Sequence, residues 1–182
     1  MEGQCTLIHN HDLIDAVTLP RDHPIYRTLR KEQRVKAFAQ HVLAPETKEK
    51  CVVFTGMRAI SGIVWHIRET YRSADSQCAN ERDASVAEEY RDAAAAAGRP
   101  FVPVYLRLSR GENVRRIAST SRVTSGTGKL VDPSILMSIR DGCDLFEFSD
   151  VEGLRLDVTE IDAEESARRI FRHVRRFCQE RY

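Results

Sequence analysis

Apolar positions along the chain follow two rhythms. Four short runs, Cys5–His9, Cys51–Thr55, Phe101–Leu106 and Leu154–Val158, are rich in Val, Ile, Leu or Phe and are bounded by polar or turn residues. Such runs predict parallel strands covered on both faces. Between them the spacing becomes helical. In "DHPIYRTLRKEQRVKAFAQHVL", Asp22 is placed to cap a helix, Pro24 falls in its first turn, and Ile25 and Leu29 begin an apolar side. "ERDASVAEEYRDAAAAAG" carries Val86, Tyr90 and an alanine run, and stops at Gly98, where a C-cap is expected. Ser109-x-x-Glu112 and Asp162-x-x-Glu165 have capping-box spacing and predict two further helix starts. After the second, Ala163, Ala167, Ile170, Phe171, Val174 and Phe177 form an apolar stripe, with arginines on the other faces. Strands alternating with helices predict an α/β fold with a mainly parallel sheet.

Residues 57–78, "MRAISGIVWHIRETYRSADSQC", break the alternation. They join a strand to a helix through a connection much longer than usual α/β loops, contain the only tryptophan, Trp65, and could form a helix of their own from Ile60 to Tyr71. Two readings of this segment stand: a surface insertion, or sequence foreign to the domain such as translated intron.

With 182 residues and 42% hydrophobic residues, the chain has the length and apolar content of one domain. Lys and Arg number 28 against 27 Asp and Glu, a formal net charge of +1, so bulk charge favours neither nucleic acid nor an anionic membrane. An anion site must therefore be local. The five cysteines, Cys5, Cys51, Cys78, Cys143 and Cys178, form no C-x-x-C pair, which suits free thiols in a reducing compartment. The N-terminus lacks a basic flank leading into an apolar run, and no apolar stretch reaches membrane-spanning length, so a cytoplasmic protein is expected.

"RVTSGTGKLVDP", residues 122–133, has the composition of a phosphate loop. A Walker A loop needs G-x-x-x-x-G-K-[ST], because amides of a glycine-rich turn wrap the phosphates, the lysine neutralises them and the hydroxyl holds magnesium. Aligned on Gly128-Lys129, the first glycine falls on Val123 and the hydroxyl position on Leu130. The preceding "NVRRIASTSR" reads as a helix entering a basic loop rather than a strand, and no other Gly-Lys pair exists, so the sequence holds no complete P-loop. Arg115, Arg116, Arg122 and Lys129 instead place four cations around a Ser/Thr/Gly loop, the chemistry of a phosphate-contacting lid or of a solvated basic loop.

The order of "CTLIHNHDLID", a basic helix with "YRTLRKEQR", "CVVFTG", "EEYRDAAAAAGRPFVPVYLRLSRGENVRRIASTSRVTSGTGKLVDPSIL" and "LRLDVTEIDAEESARRIFRHV" resembles the small P-loop kinases grouped with AAA-type predicted ATPases, near chloramphenicol phosphotransferase and gluconate kinase. The resemblance covers the chain outside residues 57–78 and rests on F-V-P-V-x-L, E-N-x-R-R and S-R-x-x-S-G-x-x-K-L-x-D-P occurring together. It implies a three-layer P-loop NTPase-like parallel sheet of order 2-3-1-4-5, with ATP and Mg2+ as cofactors. Here the first strand, the P-loop and the first helix would precede Met1. The expectation is a single incomplete domain over residues 1–182, with a gap in the sheet where the central strand belongs. Unpaired backbone groups there would each cost about 1–3 kcal/mol if buried without a partner. Rearrangement, a homo-oligomer or another partner would fill the gap, and without the cradle no tight ATP or Mg2+ binding is expected.

By the same resemblance, the strand end at His9 and the following helix form the acceptor pocket. It would comprise His9, Asn10, His11 and Asp15, with His11 or Asp15 as general base. Arg27, Arg30 and Arg34 lie at helical spacing and suit either substrate binding or a solvated face. His9 and His11 on one strand face would permit metal binding, for which the sequence offers no third ligand; a polar strand end without further role is the other alternative. Asp157 and Thr159 would lie toward the adenine side, or simply end a strand and begin a helix cap. Two functions follow: a kinase-like phosphotransferase or NTPase, truncated and inactive as written, or a degenerate, non-catalytic domain that binds a partner or a small ligand.

Overall fold

The computed structural model describes residues 5–56, 76–120, 130–142 and 146–181, with backbone only for residues 76–83, 139, 142 and 181. The elements in order are β1 (Cys5–Ile8), α1 (Asn10–Ile14), α2 (Tyr26–Phe38), β2 (Cys51–Phe54), α3 (Ser76–Ala96), β3 (Val104–Arg107), α4 (Arg110–Ile117), α5 (Pro133–Gly142), β4 (Leu154–Asp157) and α6 (Ala163–Arg181). A π-helical turn at Ala39–Leu43 continues α2. All four expected strands are present, each ending within a residue of its expected C-terminal limit. β3 begins three residues later than expected, after Pro103, whose ring nitrogen cannot donate to a ladder.

The strands form two parallel pairs, β1 with β2 and β3 with β4. In the first, Cys5 faces Cys51 and Ile8 faces Phe54; in the second, Val104 faces Leu154 and Arg107 faces Asp157. The fold is thus mixed α/β with parallel strands. No ladder joins β2 to β3 among the described residues.

Each pair has its own packing. Ile8, Leu13 of α1 and Ala37 of α2 close on Val52 and Phe54. Phe38, Phe54 and Tyr90 add an edge-to-face triangle with ring centroids 5.0–5.6 Å apart. In the second pair, Tyr105 and Leu156 are buried, Phe148 packs edge-on to Phe101 and Phe146, and the Tyr105 hydroxyl accepts from Phe148 N at 2.8 Å. Helix α3 ties the halves together. Glu89 pairs with Arg34 and Tyr90 meets Phe54, while Arg91 lies 5.2 Å over Phe148 and reaches Asp150 at 3.0 Å.

Several expectations need correction. Among the described residues the β1–β2 pair packs mainly on one face: Leu7 and Val53 are exposed while their strand neighbours Ile8 and Phe54 pack inward against α1 and α2. Asp22 does not cap α2, because a turn carries the chain through Pro24 and Ile25 takes the N-cap position without a side-chain bond. On α6, Phe177 is buried and Ile170 and Val174 are half-buried, but Ala163, Ala167 and Phe171 are exposed, because the helix meets the protein along only part of that stripe. Two helices lacked an apolar-period signal: the five-residue α1, and α5, started by Asp132, whose Oδ1 accepts from Ser134 N and Ile135 N at 2.7 and 3.3 Å. The expected helix over Ile60–Tyr71 and Trp65 lie outside the described residues, whereas residues 76–78, counted with the insertion, begin α3. Gly98 ends α3 at φ +62°, as its position predicts.

Candidate functional site

In parallel sheets, ligands gather at the C-terminal ends of the strands, where chain reversals expose backbone and polar side chains. At the end of β1 the chain turns straight into α1. His9 is the N-cap: its Nδ1 accepts from His11 N at 3.2 Å, and its own N–H donates to Asp12 Oδ2 at 2.9 Å, a reciprocal capping box. Thr55, just past β2, donates its N–H to Ile8 O at 3.1 Å, and its hydroxyl accepts from Asn10 N at 3.1 Å. The ends of β1 and β2 are thereby locked under the first turn of α1.

This capping replaces the expected strand geometry of His9-x-His11. The strand stops at Ile8, and the two imidazoles stack at 5.3 Å across a helix start instead of sharing a strand face. Among the described residues no group of three or more His, Cys, Asp or Glu side chains is placed to hold a metal ion.

The polar atoms left over mark where this region could receive a ligand. Asn10 Oδ1, His11 Nδ1 and Arg30 Nε are buried and have no hydrogen-bond partner among the described residues. The closest acid to His11 Nδ1 is Asp15 Oδ1 at 3.6 Å, beyond hydrogen-bond reach and within ion-pair range. His11 is mostly covered and Asp15 half exposed, so the pair sits at a surface with its imidazole inward. Helices α1 and α2 pack together, and on α2 Arg30 Nη1 donates to the Tyr26 hydroxyl at 3.5 Å. Buried unpaired groups each cost about 1–3 kcal/mol. A ligand offering both a donor and acceptors would relieve them.

Of the remaining cations on α2, Arg27 is exposed and Arg34 is not part of a solvated face. Arg34 is 6% exposed; its guanidinium pairs with Glu89 through Nε at 2.6 Å and Nη2 at 3.2 Å, and donates from Nη1 to Arg30 O at 3.3 Å.

The ends of β3 and β4 form a second polar cluster. Ser109 caps α4 by accepting from Glu112 N at 3.3 Å, while its own N–H goes to Thr159 Oγ1 at 2.8 Å. Only half of the expected capping box forms, because the Glu112 carboxylate is taken by Arg115, through Nε and Nη2 at 2.6 Å each, and by Arg116 Nε at 2.6 Å. These bonds hold the Glu112 carboxyl down at about 2. Arg116 also reaches Val158 O at 2.7 Å, with Ile161 O and Thr159 O at 3.4 and 3.5 Å. Asp157 Oδ1 accepts from Thr159 N at 2.8 Å, and the Thr159 hydrogen bonds lower the Asp157 carboxyl below its usual range. Asp157 and Thr159 thus lock one strand exit. Arg122 and Lys129 lie outside the described residues.

The structure therefore joins His9, Asn10, His11 and Asp15 in one cluster, with Arg30 on the adjoining helix. It places Arg115 and Arg116 in another, each already engaged. Sequence reasoning missed Thr55 and Asp12, and took Glu112 for a capping residue where it is the partner of Arg115 and Arg116. A hydroxyl residue directly after a buried strand was the available signal for Thr55, and H-x-x-D with an unusual capping residue the signal for Asp12. Both of these arginines are already engaged, Arg115 by Glu112 and Arg116 by Glu112 and the Val158 carbonyl.

Compared with models of known protein families, with curated proteins and with solved structures, the chain matches none. No helix among the described residues is long and apolar enough to cross a membrane.

Proposed function

We propose that the chain is the acceptor-binding part of a P-loop kinase-like phosphotransferase or NTPase. In this reading the parallel sheet has three layers, and its central strand, phosphate cradle and first helix are supplied from outside these residues. The observation that carries the reading is the division of the strands into two parallel pairs, with β2 and β3 each unpaired on an edge among the described residues. One strand between them would convert two pairs into a continuous parallel sheet of five.

The chemistry these residues can serve is on the acceptor side. A substrate hydroxyl at the end of β1 would meet His11 as proton acceptor, and the Asp15 carboxylate 3.6 Å from Nδ1 would stabilise the imidazolium formed. Asn10 Oδ1 would accept from a second substrate hydroxyl and Arg30 Nε would donate to a substrate oxygen. No step through ATP or Mg2+ is assigned to this chain.

A second reading, a degenerate domain that binds a partner or small ligand without catalysis, is favoured by the engagement of Arg115 and Arg116 with Glu112. The two separate by calorimetry and turnover assays with ATP and Mg2+. The chain alone is expected to show neither tight binding nor hydrolysis. A segment carrying a strand, G-x-x-x-x-G-K-[ST] and a helix is expected to restore ATP binding under the first reading, and to leave it absent under the second. Robust metal-dependent hydrolysis by the lone chain would overturn both.

A further inference from the structure

At the opposite, N-terminal end of the first strand pair, Cys5 and Cys51 are the first residues of β1 and β2, and the register sets them directly side by side. Neighbouring strands run about 4.7–4.9 Å apart, inside the Cα separation of about 4.4–6.8 Å that a disulfide spans. Paired residues of neighbouring strands project from the same face of the sheet. Both cysteines are free and exposed, and Leu7 and Val53, also exposed, continue the same face.

The surroundings of Cys51 act on its thiol. Partial burial, then the charge and hydrogen bond of Cys5, push the Cys51 thiol up to about 11; Cys178 on α6 adds to the rise and Arg99 opposes it. Arg99 is held nearby by the carbonyls of His41, Val42 and Lys50. A raised thiol spends less time as the thiolate, which makes Cys51 a slow first nucleophile. Once Cys5 is covalently engaged and uncharged, part of what suppresses Cys51 disappears.

We propose that Cys5 and Cys51 form a reversible dithiol–disulfide site that exchanges with low-molecular-weight disulfides. The Cys5 thiolate attacks one sulfur of the small disulfide, forming a mixed disulfide and releasing one small thiolate. The Cys51 thiolate then attacks the Cys5 sulfur, forming the Cys5–Cys51 bond and releasing the second. The two protein cysteines lose two electrons, the small disulfide gains them, and the two cysteine protons end on the released thiols. The site lies at the far end of the pair from His9 and His11 and does not depend on the acceptor-site reading.

The test uses the full chain, reduced, treated with oxidised glutathione, alkylated and digested for peptide mass spectrometry. The expected result is a linked Cys5–Cys51 peptide and a loss of two of the five thiols, reversed by dithiothreitol. Cys178→Ser should form the same link, and Cys51→Ser should stop at a glutathione adduct on Cys5, each with a wild-type circular dichroism spectrum. Linkage of Cys51 to Cys178, or stable glutathione adducts with no Cys5–Cys51 peptide in the folded wild-type chain, would overturn the proposal.

Discussion

Arg34 of α2 and Glu89 of α3 form a two-point ion pair across a helix interface, with N···O separations of 2.6 and 3.2 Å and the Arg34 side chain 7% exposed. A charge this deep is tolerated only while its partner stays in place. Glu89→Ala leaves a desolvated guanidinium uncompensated and is expected to destabilise the chain by about 3–5 kcal/mol. Replacing both residues together by Met and Leu should recover most of that loss. Urea unfolding of the three variants measures it, and a Glu89→Ala midpoint equal to wild type would show the pair to be energetically idle.

Gly153 precedes β4, where the chain passes under the Tyr105 ring. A Cβ built there would lie 2.7 Å from Tyr105 Cε2 and 2.8 Å from Pro103 O. The carbonyl belongs to a residue that also accepts from Leu154 N at 2.9 Å, so it cannot withdraw without loosening the ladder. Gly153→Ala should cost about 1–3 kcal/mol through overpacking, read as a lowered denaturation midpoint with an unchanged slope. Gly111, with nothing within 4 Å of its Cβ position, is the control and should not show this steric penalty.

The strands were legible because four apolar runs bounded by polar residues have few other ways to be buried, and Gly98 was legible because a positive φ suits glycine. The pairing of those strands was not. It depends on which edges meet, and a run such as Cys51–Phe54 carries no mark of its neighbour. Asp22 and Phe171 misled for a common reason: a capping residue or an apolar position has consequences only where tertiary contacts use it. The acceptor cluster was half legible. His9, Asn10, His11 and Asp15 are close in sequence and stay close in space, but Thr55 reaches them from 45 residues away. The lid was read from four cations and a Ser/Thr/Gly loop, and spacing alone did not show that Glu112, placed to cap a helix, claims Arg115 and Arg116 instead.

Glu112 gives a prediction in pH. Its carboxyl is lowered from 4.5 to about 2 by hydrogen bonds from Arg115 and then Arg116. A depressed folded-state value means the unfolded chain binds the proton more readily, so the contribution to stability is present above 4.5 and is lost as pH falls toward 2. Glu112→Gln should therefore unfold at lower urea than wild type at neutral pH, and the gap should close as the pH is lowered through that window. A gap that persists unchanged at the acid end would assign the effect to packing instead of charge.

The unpaired strand edges yield the prediction on which the functional reading turns. In a parallel pair, amides alternate between the partner strand and the opposite side. Thr55 N donates to Ile8 O, so the same parity in β2 turns Val53 N toward β1 and Val52 N and Phe54 N away from it. Leu154 N donates to Pro103 O and Val158 N to Arg107 O, which by the same alternation turns Val104 N and Leu106 N of β3 away from β4. Native-state hydrogen exchange should then find the amides of Val52, Phe54, Val104 and Leu106 far less protected than that of Val53, because nothing in the described fold accepts from them. Adding the strand–P-loop–helix segment should protect β2 and β3 together while leaving β1 and β4 unchanged, since only a strand lying between the two pairs can cover both edges at once. Full protection of those four amides in the lone chain would mean that the edges are already covered, and the reading of a sheet awaiting its central strand would fall with them.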